Sequence, residues 1–204
     1  MVIVYLPLLL WMLRNDWKWR CVFPMLLIAA TYLLLNWARF DNPFEFGHNY
    51  LPEFVRAENG QFSWCYLLPH LKQMLRLPQA GGPNGALIYD TYDCMAVWLI
   101  TPMSLSFVSA WLYGIRHQFS AARFEMIVLP VLLIIHLLIV CCHRTLGGFQ
   151  FGNRYLVDML PFIFFGLLLW KPKSTRRMSM NIPLFFLGFA VNLVGTVATY
   201  NHWI

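Results

Sequence analysis

The chain of 204 residues is 59% hydrophobic and 17% aromatic, and only 12% of it is charged. Soluble domains carry about 25% charged residues, and the apolar excess here lies in long runs, which excludes an ordinary water-soluble domain and indicates an integral membrane protein. The formal net charge of +6 does not indicate a nucleic-acid partner, because the basic residues sit in short loops between apolar runs, where membrane topology accounts for them.

In chain order, Met1 to Leu13 is apolar but short, at about 13 residues against the roughly 20 a span needs. It has no basic leading segment and no small-residue cleavage site, so it is not a signal peptide. It reads as the end of a transmembrane helix. Arg14 to Arg20 is a short basic loop with Trp17 and Trp19. Cys21 to Trp37 is the second span. A long region, 38–94, follows. Met95 to Tyr113, Met126 to Cys142, Arg154 to Trp170 and Ile182 to about Tyr200 are the third to sixth spans. The expected fold is all-α and polytopic, a single transmembrane domain over 1–204 with about six transmembrane helices.

Within the long loop, apolar residues at 64, 67, 68, 71, 74 and 75 follow helical spacing. Lys72, Gln73 and Arg76 fall largely on the other side. The stretch 62–77 is too polar to span, so it reads as an amphipathic helix in the membrane interface.

The Lys and Arg distribution sets the orientation. Nine of these residues crowd into three short loops, around 14–20, 114–125 and 171–181, and the other six are spread over longer sequence. The dense set is expected in the cytoplasm. The protein is then a multi-pass component of the cell membrane, with the long loop, the turn 143–153 and both termini on the extracytoplasmic side. A chain whose first span opens halfway, with no leader to carry it out, is expected to be the C-terminal part of a larger protein. Of the five cysteines, Cys65 and Cys94 share the long loop, where an oxidising exterior allows them to pair.

Two stretches carry candidate chemistry. The first, ARFDNPFEFGHNYLPEF (38–54), sets four Phe and a Tyr among acidic residues, with Pro43, Gly47 and Pro52 excluding regular structure. Glu45, His48 and Glu53 can shape a substrate groove or exchange protons, and their spacing matches no metal motif. The second is HRTLGGFQFGNRYLVDMLPF (143–162). Asn153 suits a helix N-cap. Arg154 and Tyr155 follow in the first turn, where an anion such as a lipid phosphate meets backbone N–H groups and a guanidinium, and Arg144 can join from the turn. The alternative is a local Arg154–Asp158 pair with interfacial snorkelling. His136 lies in mid-span, where a polar group needs a partner. No phosphate-cradling glycine loop, nucleophile elbow or cofactor motif occurs.

These two stretches, ARFDNPFEFGHNYLPEF after one span and GGFQFGNRYLVDMLPF opening a later one, resemble bacterial multi-spanning glycosyltransferases of the GT-C type. Those are relatives of the dolichyl-phosphate-mannose protein mannosyltransferases. The resemblance runs from about Tyr32 to Trp170. It implies transfer of a sugar from a polyprenyl-phosphate donor at the outer face of the membrane, with that donor and membrane lipids as partners and no separate cofactor. It implies Arg154 and Tyr155 near the donor lipid phosphate, where the turn can add Arg144, and the Phe44–Glu53 stretch, with Glu45, His48 and Glu53, along the sugar or acceptor groove. The acidic residue that such enzymes carry in their first external loop has no counterpart, so the general base is expected from sequence elsewhere, such as a separately encoded N-terminal half. The other readings are a non-catalytic scaffold or lipid-binding subunit on the same fold, and a small transporter. The near absence of charges within the spans disfavours the transporter.

Overall fold

The computed structural model describes residues 2–14, 20, 22–47, 50–55, 57–80, 87–88, 96–117, 123–147, 151–152, 154–170 and 181–201. Among them the chain is helical, apart from an antiparallel pair of two-residue strands, β1 (Gln79–Ala80) and β2 (Leu87–Ile88). The helices are α1 (Leu6–Arg14), α2 (Val22–Phe40), α3 (Pro52–Val55), α4 (Leu67–Leu75), α5 (Val97–Ile100), α6 (Met103–His117), α7 (Arg123–Cys142), α8 (Leu160–Leu169) and α9 (Asn181–Tyr200). Short 3-10 helices precede α1, α4 and α8, at Val2–Tyr5, Trp64–Tyr66 and Arg154–Met159.

Three helices, α2, α7 and α9, are long and apolar enough to cross a membrane. The 20 residues of α7 and of α9 rise about 30 Å, the thickness of a hydrocarbon core. Their surfaces support that reading. In α7 one face (Met126, Leu129, Leu133, His136, Val140) is buried, but the opposite face (Ile127, Val131, Ile134) is also apolar and exposed. A helix at a water surface would turn polar residues outward there. In α9 the small residues Gly188, Gly195 and Ala198 are buried while Phe186, Leu187, Val194 and Val197 face out. That is the arrangement expected where close backbone packing, not apolar burial, holds helices together.

The chain divides into two compact units, Met1–Ser63 and Trp64–Ile204. The boundary falls inside the long loop of the sequence reading. The first unit holds α1 to α3, and along α2 only Asn36 is buried. In the second unit α6 and α8 share the largest helix–helix interface, α4 packs on α7, and α9 packs on α5 and α6. Gly166 permits the α6–α8 approach, since a Cβ there would stand 2.5 Å from the Phe107 ring. The fully buried Trp170 completes that contact, with its ring centroid 5.3 Å from that of Phe107.

The expected third span is interrupted. Its helix runs as α5, breaks at Thr101–Pro102 and resumes as α6. Proline has no N–H to continue the ladder, and its ring collides with the carbonyl four residues back. A second proline, Pro130, lies inside α7 and leaves the Met126 carbonyl without its backbone donor. The Trp111 indole Nε1 of α6 donates to that carbonyl at 2.8 Å. An orphan carbonyl in lipid costs several kcal/mol unless a neighbouring helix supplies a donor, and here one does. At the end of α7, where carbonyls also run out of helical partners, His70 Nδ1 of α4 meets the Cys141 carbonyl at 2.9 Å. Beside it Met74 and Cys141 are buried with Leu146 and Leu156.

Candidate functional site

The turn after α7 brings together part of what the sequence singled out. Arg154 opens the 3-10 helix, and its guanidinium donates to the Gly147 carbonyl at 2.5 Å. It also lies over the Tyr155 ring, 5.6 Å from the centroid. The Tyr155 ring meets His143 edge-on at 5.7 Å, and His143 Nδ1 donates to the Thr145 carbonyl at 2.8 Å. Tyr155 and the two ends of the turn are thereby held as one piece. The mid-span His136 is fully buried and hydrogen-bonds the backbone of Tyr155, which fastens the piece to α7. Arg144 is half-buried in the same turn. Asn153 lies outside the described residues. The segment is a 3-10 helix, in which residues three apart eclipse. Arg154 therefore aligns with Val157, and Asp158 with Tyr155.

Arg154 stands at the edge of a groove of about 770 Å³, within the range of ligand sites. The break between α5 and α6 forms one wall, the 3-10 helix and α8 another, and α9 the third. The lining is mostly apolar, including Pro102, Phe151, Leu160, Phe164 and Phe189. Its polar members are Thr101, Arg154, Asn192 and Thr196. No carboxylate lines it among the described residues.

Two irregular pieces of backbone, the Thr101–Pro102 break and the segment at Phe151, pack on α9 because α9 presents glycines to them. A Cβ at Gly188 would stand 2.9 Å from Pro102 Cδ, and one at Gly195 would overlap the Phe151 ring. Between the two glycines lies Asn192. In an unbroken helix the Ser104 N–H would bond the Ile100 carbonyl. Here it bonds Thr101 instead, at 3.0 Å, and Ile100 loses its donor. Asn192 Nδ2 supplies one at 2.8 Å and also bonds the Gly188 carbonyl at 2.7 Å. The sequence reading passed over Asn192. The signal that marks it is the spacing Gly188–Asn192–Gly195, one polar and two minimal residues on one face of an apolar span.

The acidic stretch belongs to the first unit. Asp41 ends α2 with a positive φ of 55°. Asn36 Nδ2 donates to the Pro43 carbonyl at 3.3 Å, the Asn42 side chain accepts from Phe44 N–H at 3.0 Å, and Phe40 stacks on Tyr50 at 5.6 Å. The Glu45 carboxylate accepts the Gly47 N–H at 2.8 Å, so it serves its own loop. A hollow of about 520 Å³ lies beside Trp37, Arg39, Asp41 and Tyr50. Glu53 lies in α3. His48 falls outside the described residues, as does Cys94, so the expected Cys65–Cys94 pairing lies outside them too; Cys65 is exposed. Among the described residues no group of three or more His, Cys, Asp or Glu is placed to hold a metal ion.

No protein-family model, curated protein or solved structure matches the chain.

Proposed function

We propose that the groove beside Arg154 binds the phosphate and first isoprene units of a polyprenyl-phosphate sugar, and that the chain is the donor-binding part of a membrane glycosyltransferase acting at the outer face. The observation that carries this reading is a single guanidinium in a mostly apolar groove of about 770 Å³ whose other polar side chains are neutral. That pairing suits an amphiphile with one anionic group on an apolar chain. The stacking of Arg154 on Tyr155 and its bond to Gly147 aim the cation before any ligand arrives, which lowers the ordering cost of binding. The resemblance of the 147–162 stretch to GT-C enzymes adds the sugar and the reaction type.

Six crossings complete the proposal. Besides α2, α7 and α9 they comprise the broken α5–α6 helix, the 3-10 helix continued by α8, and α1. The basic loops lie inside, by the positive-inside rule. The helix α4 rests at the outer interface. Met74 (3% exposed) anchors it to α7, while Trp64 (76%), Leu68 (61%) and Leu75 (66%) turn outward toward lipid.

A second reading is favoured by the carboxylate-free groove lining: a subunit that binds the lipid without transferring its sugar. One experiment addresses both. The full chain is reconstituted in nanodiscs and titrated with a polyprenyl phosphate. Loss of a charge-assisted bond, worth about 1.5–3 kcal/mol, weakens binding about tenfold to a hundredfold in Arg154→Ala, and Arg56→Ala has little effect. Equal small effects would sink the assignment. Sugar transfer by the chain, alone or with a separately encoded partner, decides between enzyme and subunit.

A further inference from the structure

Resting on that reading of the groove, we infer that Asn192, Thr196 and Thr101 form a hydroxyl-recognition subsite that takes the sugar of the lipid donor. Both hydrogens of the Asn192 amide nitrogen are spent on backbone carbonyls, of Ile100 and of Gly188. The side chain therefore cannot flip, and its Oδ1 is presented as an acceptor of fixed direction on a residue that lines the groove. An acceptor held this way in an apolar setting selects for O–H or N–H donors.

Two hydroxyls stand with it. Thr196 is one helical turn further along α9 and lines the same groove. A threonine in an apolar helix commonly bonds the carbonyl four residues back, and two in this chain do so: Thr31 to Leu27 at 2.8 Å and Thr199 to Gly195 at 2.9 Å. Thr196 makes no such bond among the described residues, so its hydroxyl is available to a ligand. Thr101 is on the break between α5 and α6, next to the Ile100 carbonyl that Asn192 holds. Its carbonyl is occupied by Ser104 N–H and Oγ, and its side chain borders the groove.

The depth also fits. Gly195 packs on Phe151, three residues before Arg154. Asn192 is three residues from Gly195, about 4.5 Å along the helix. The subsite therefore lies within about one turn of the level of the 151–154 segment. A ligand whose phosphate meets Arg154 and whose hydroxyl groups lie next to that phosphate reaches both. Such chemistry has two sources at a membrane, a glycosyl phospho-polyprenol and the glycerol headgroup of a bulk phospholipid. The sugar is favoured because three polar residues from two adjoining elements match several hydroxyls on one rigid ring.

The test uses the full chain in phosphatidylcholine nanodiscs and three probes: a polyprenyl phosphate, the same lipid bearing a hexose, and phosphatidylglycerol. Thr196→Val and Thr101→Val keep side-chain shape and remove only the hydroxyl. Each is expected to weaken the hexose lipid about threefold to tenfold and to leave the bare polyprenyl phosphate unchanged. Asn192→Ala is expected to do the same if it folds; if it does not, the threonine variants decide. Arg154→Ala is expected to weaken both polyprenyl lipids. If the threonine variants bind both polyprenyl lipids as wild type does and Arg154→Ala weakens both, the subsite is overturned and the groove reading stands. If Arg154→Ala changes neither, both fall. Loss of phosphatidylglycerol binding equal to that of the hexose lipid overturns the sugar assignment.

Discussion

Replacing Asn192 by leucine tests what satisfies the carbonyl opened by the break between α5 and α6. The substitution keeps volume and apolar character but withdraws the donor from the Ile100 carbonyl, 2.8 Å away. The Gly188 carbonyl is affected less, because the Asn192 backbone N–H still reaches it along α9. A buried carbonyl left without a donor costs about 1–3 kcal/mol. Interhelical hydrogen bonds in membrane proteins average about 0.6 kcal/mol with a maximum near 1.7, which lowers the expectation to about 0.6–1.7 kcal/mol. The assay is reversible unfolding by SDS in mixed micelles, followed by tryptophan fluorescence. A second substitution makes the cause specific. With Pro102→Ala the break can close into regular helix, and the Ser104 N–H can return to the Ile100 carbonyl. Asn192→Leu should then cost less than half as much in the Pro102→Ala background as in the wild type. A cost below about 0.5 kcal/mol for Asn192→Leu, or strict additivity of the two changes, would refute the carbonyl argument.

Trp111→Phe removes the donor to the Met126 carbonyl left open by Pro130 and should lower stability in the same assay by about 1 kcal/mol; no loss in Trp111→Phe would show that the carbonyl finds another donor. Gly195→Ala places a methyl group on the Phe151 ring and should cost about 1–3 kcal/mol by overpacking in the same assay; a loss below about 0.5 kcal/mol would show that the ring gives way. Met74→Ala empties a position in the cluster that fixes α4 to α7 and should cost about 2–5 kcal/mol, along with faster amide exchange in α4 than in α7. A cysteine at Asn49 should react with an impermeant thiol reagent from outside the cell and one at Ser174 should not; the opposite pattern would invert the proposed topology.

What the sequence disclosed follows from where periodicity and composition suffice. The spans read at 21–37, 126–142 and 182–200 coincide within a few residues with α2, α7 and α9, because a long apolar run leaves no other solution in lipid. The stretch 62–77 contains the helix at 67–75 preceded by one 3-10 turn. Only Met74 of its apolar ridge is fully buried, since helical spacing marks a face without saying which solvent it meets. The Arg154 turn was legible by residue type. Its 3-10 geometry was not, because capping signals do not distinguish the two helices. Glu45 reads in sequence as an available acid, and only the fold shows its carboxylate bonded to Gly47 two residues on.

Asn192 was illegible for a different reason, and that reason connects fold to function. A lone asparagine in an apolar span is explained only by what it meets, and here that is the Ile100 carbonyl left open where Pro102 breaks the chain between α5 and α6. A continuous α5–α6 helix would have needed no asparagine, and a straight wall of alanines and leucines could have closed the third side of the groove. The chain instead carries Pro102, tolerates the opened carbonyl, and assigns Asn192 and two glycines of α9 to accommodate it. Irregular backbone at membrane depth persists where it is buried in protein or lines a cavity. This break does the second: Ile100, Thr101 and Pro102 all border the groove that Arg154 opens. Natural sequences retain such local conflicts mainly at functional sites. The break is therefore independent support for placing the site at this groove, drawn from backbone geometry and owing nothing to the resemblance of the Arg154 stretch to any family.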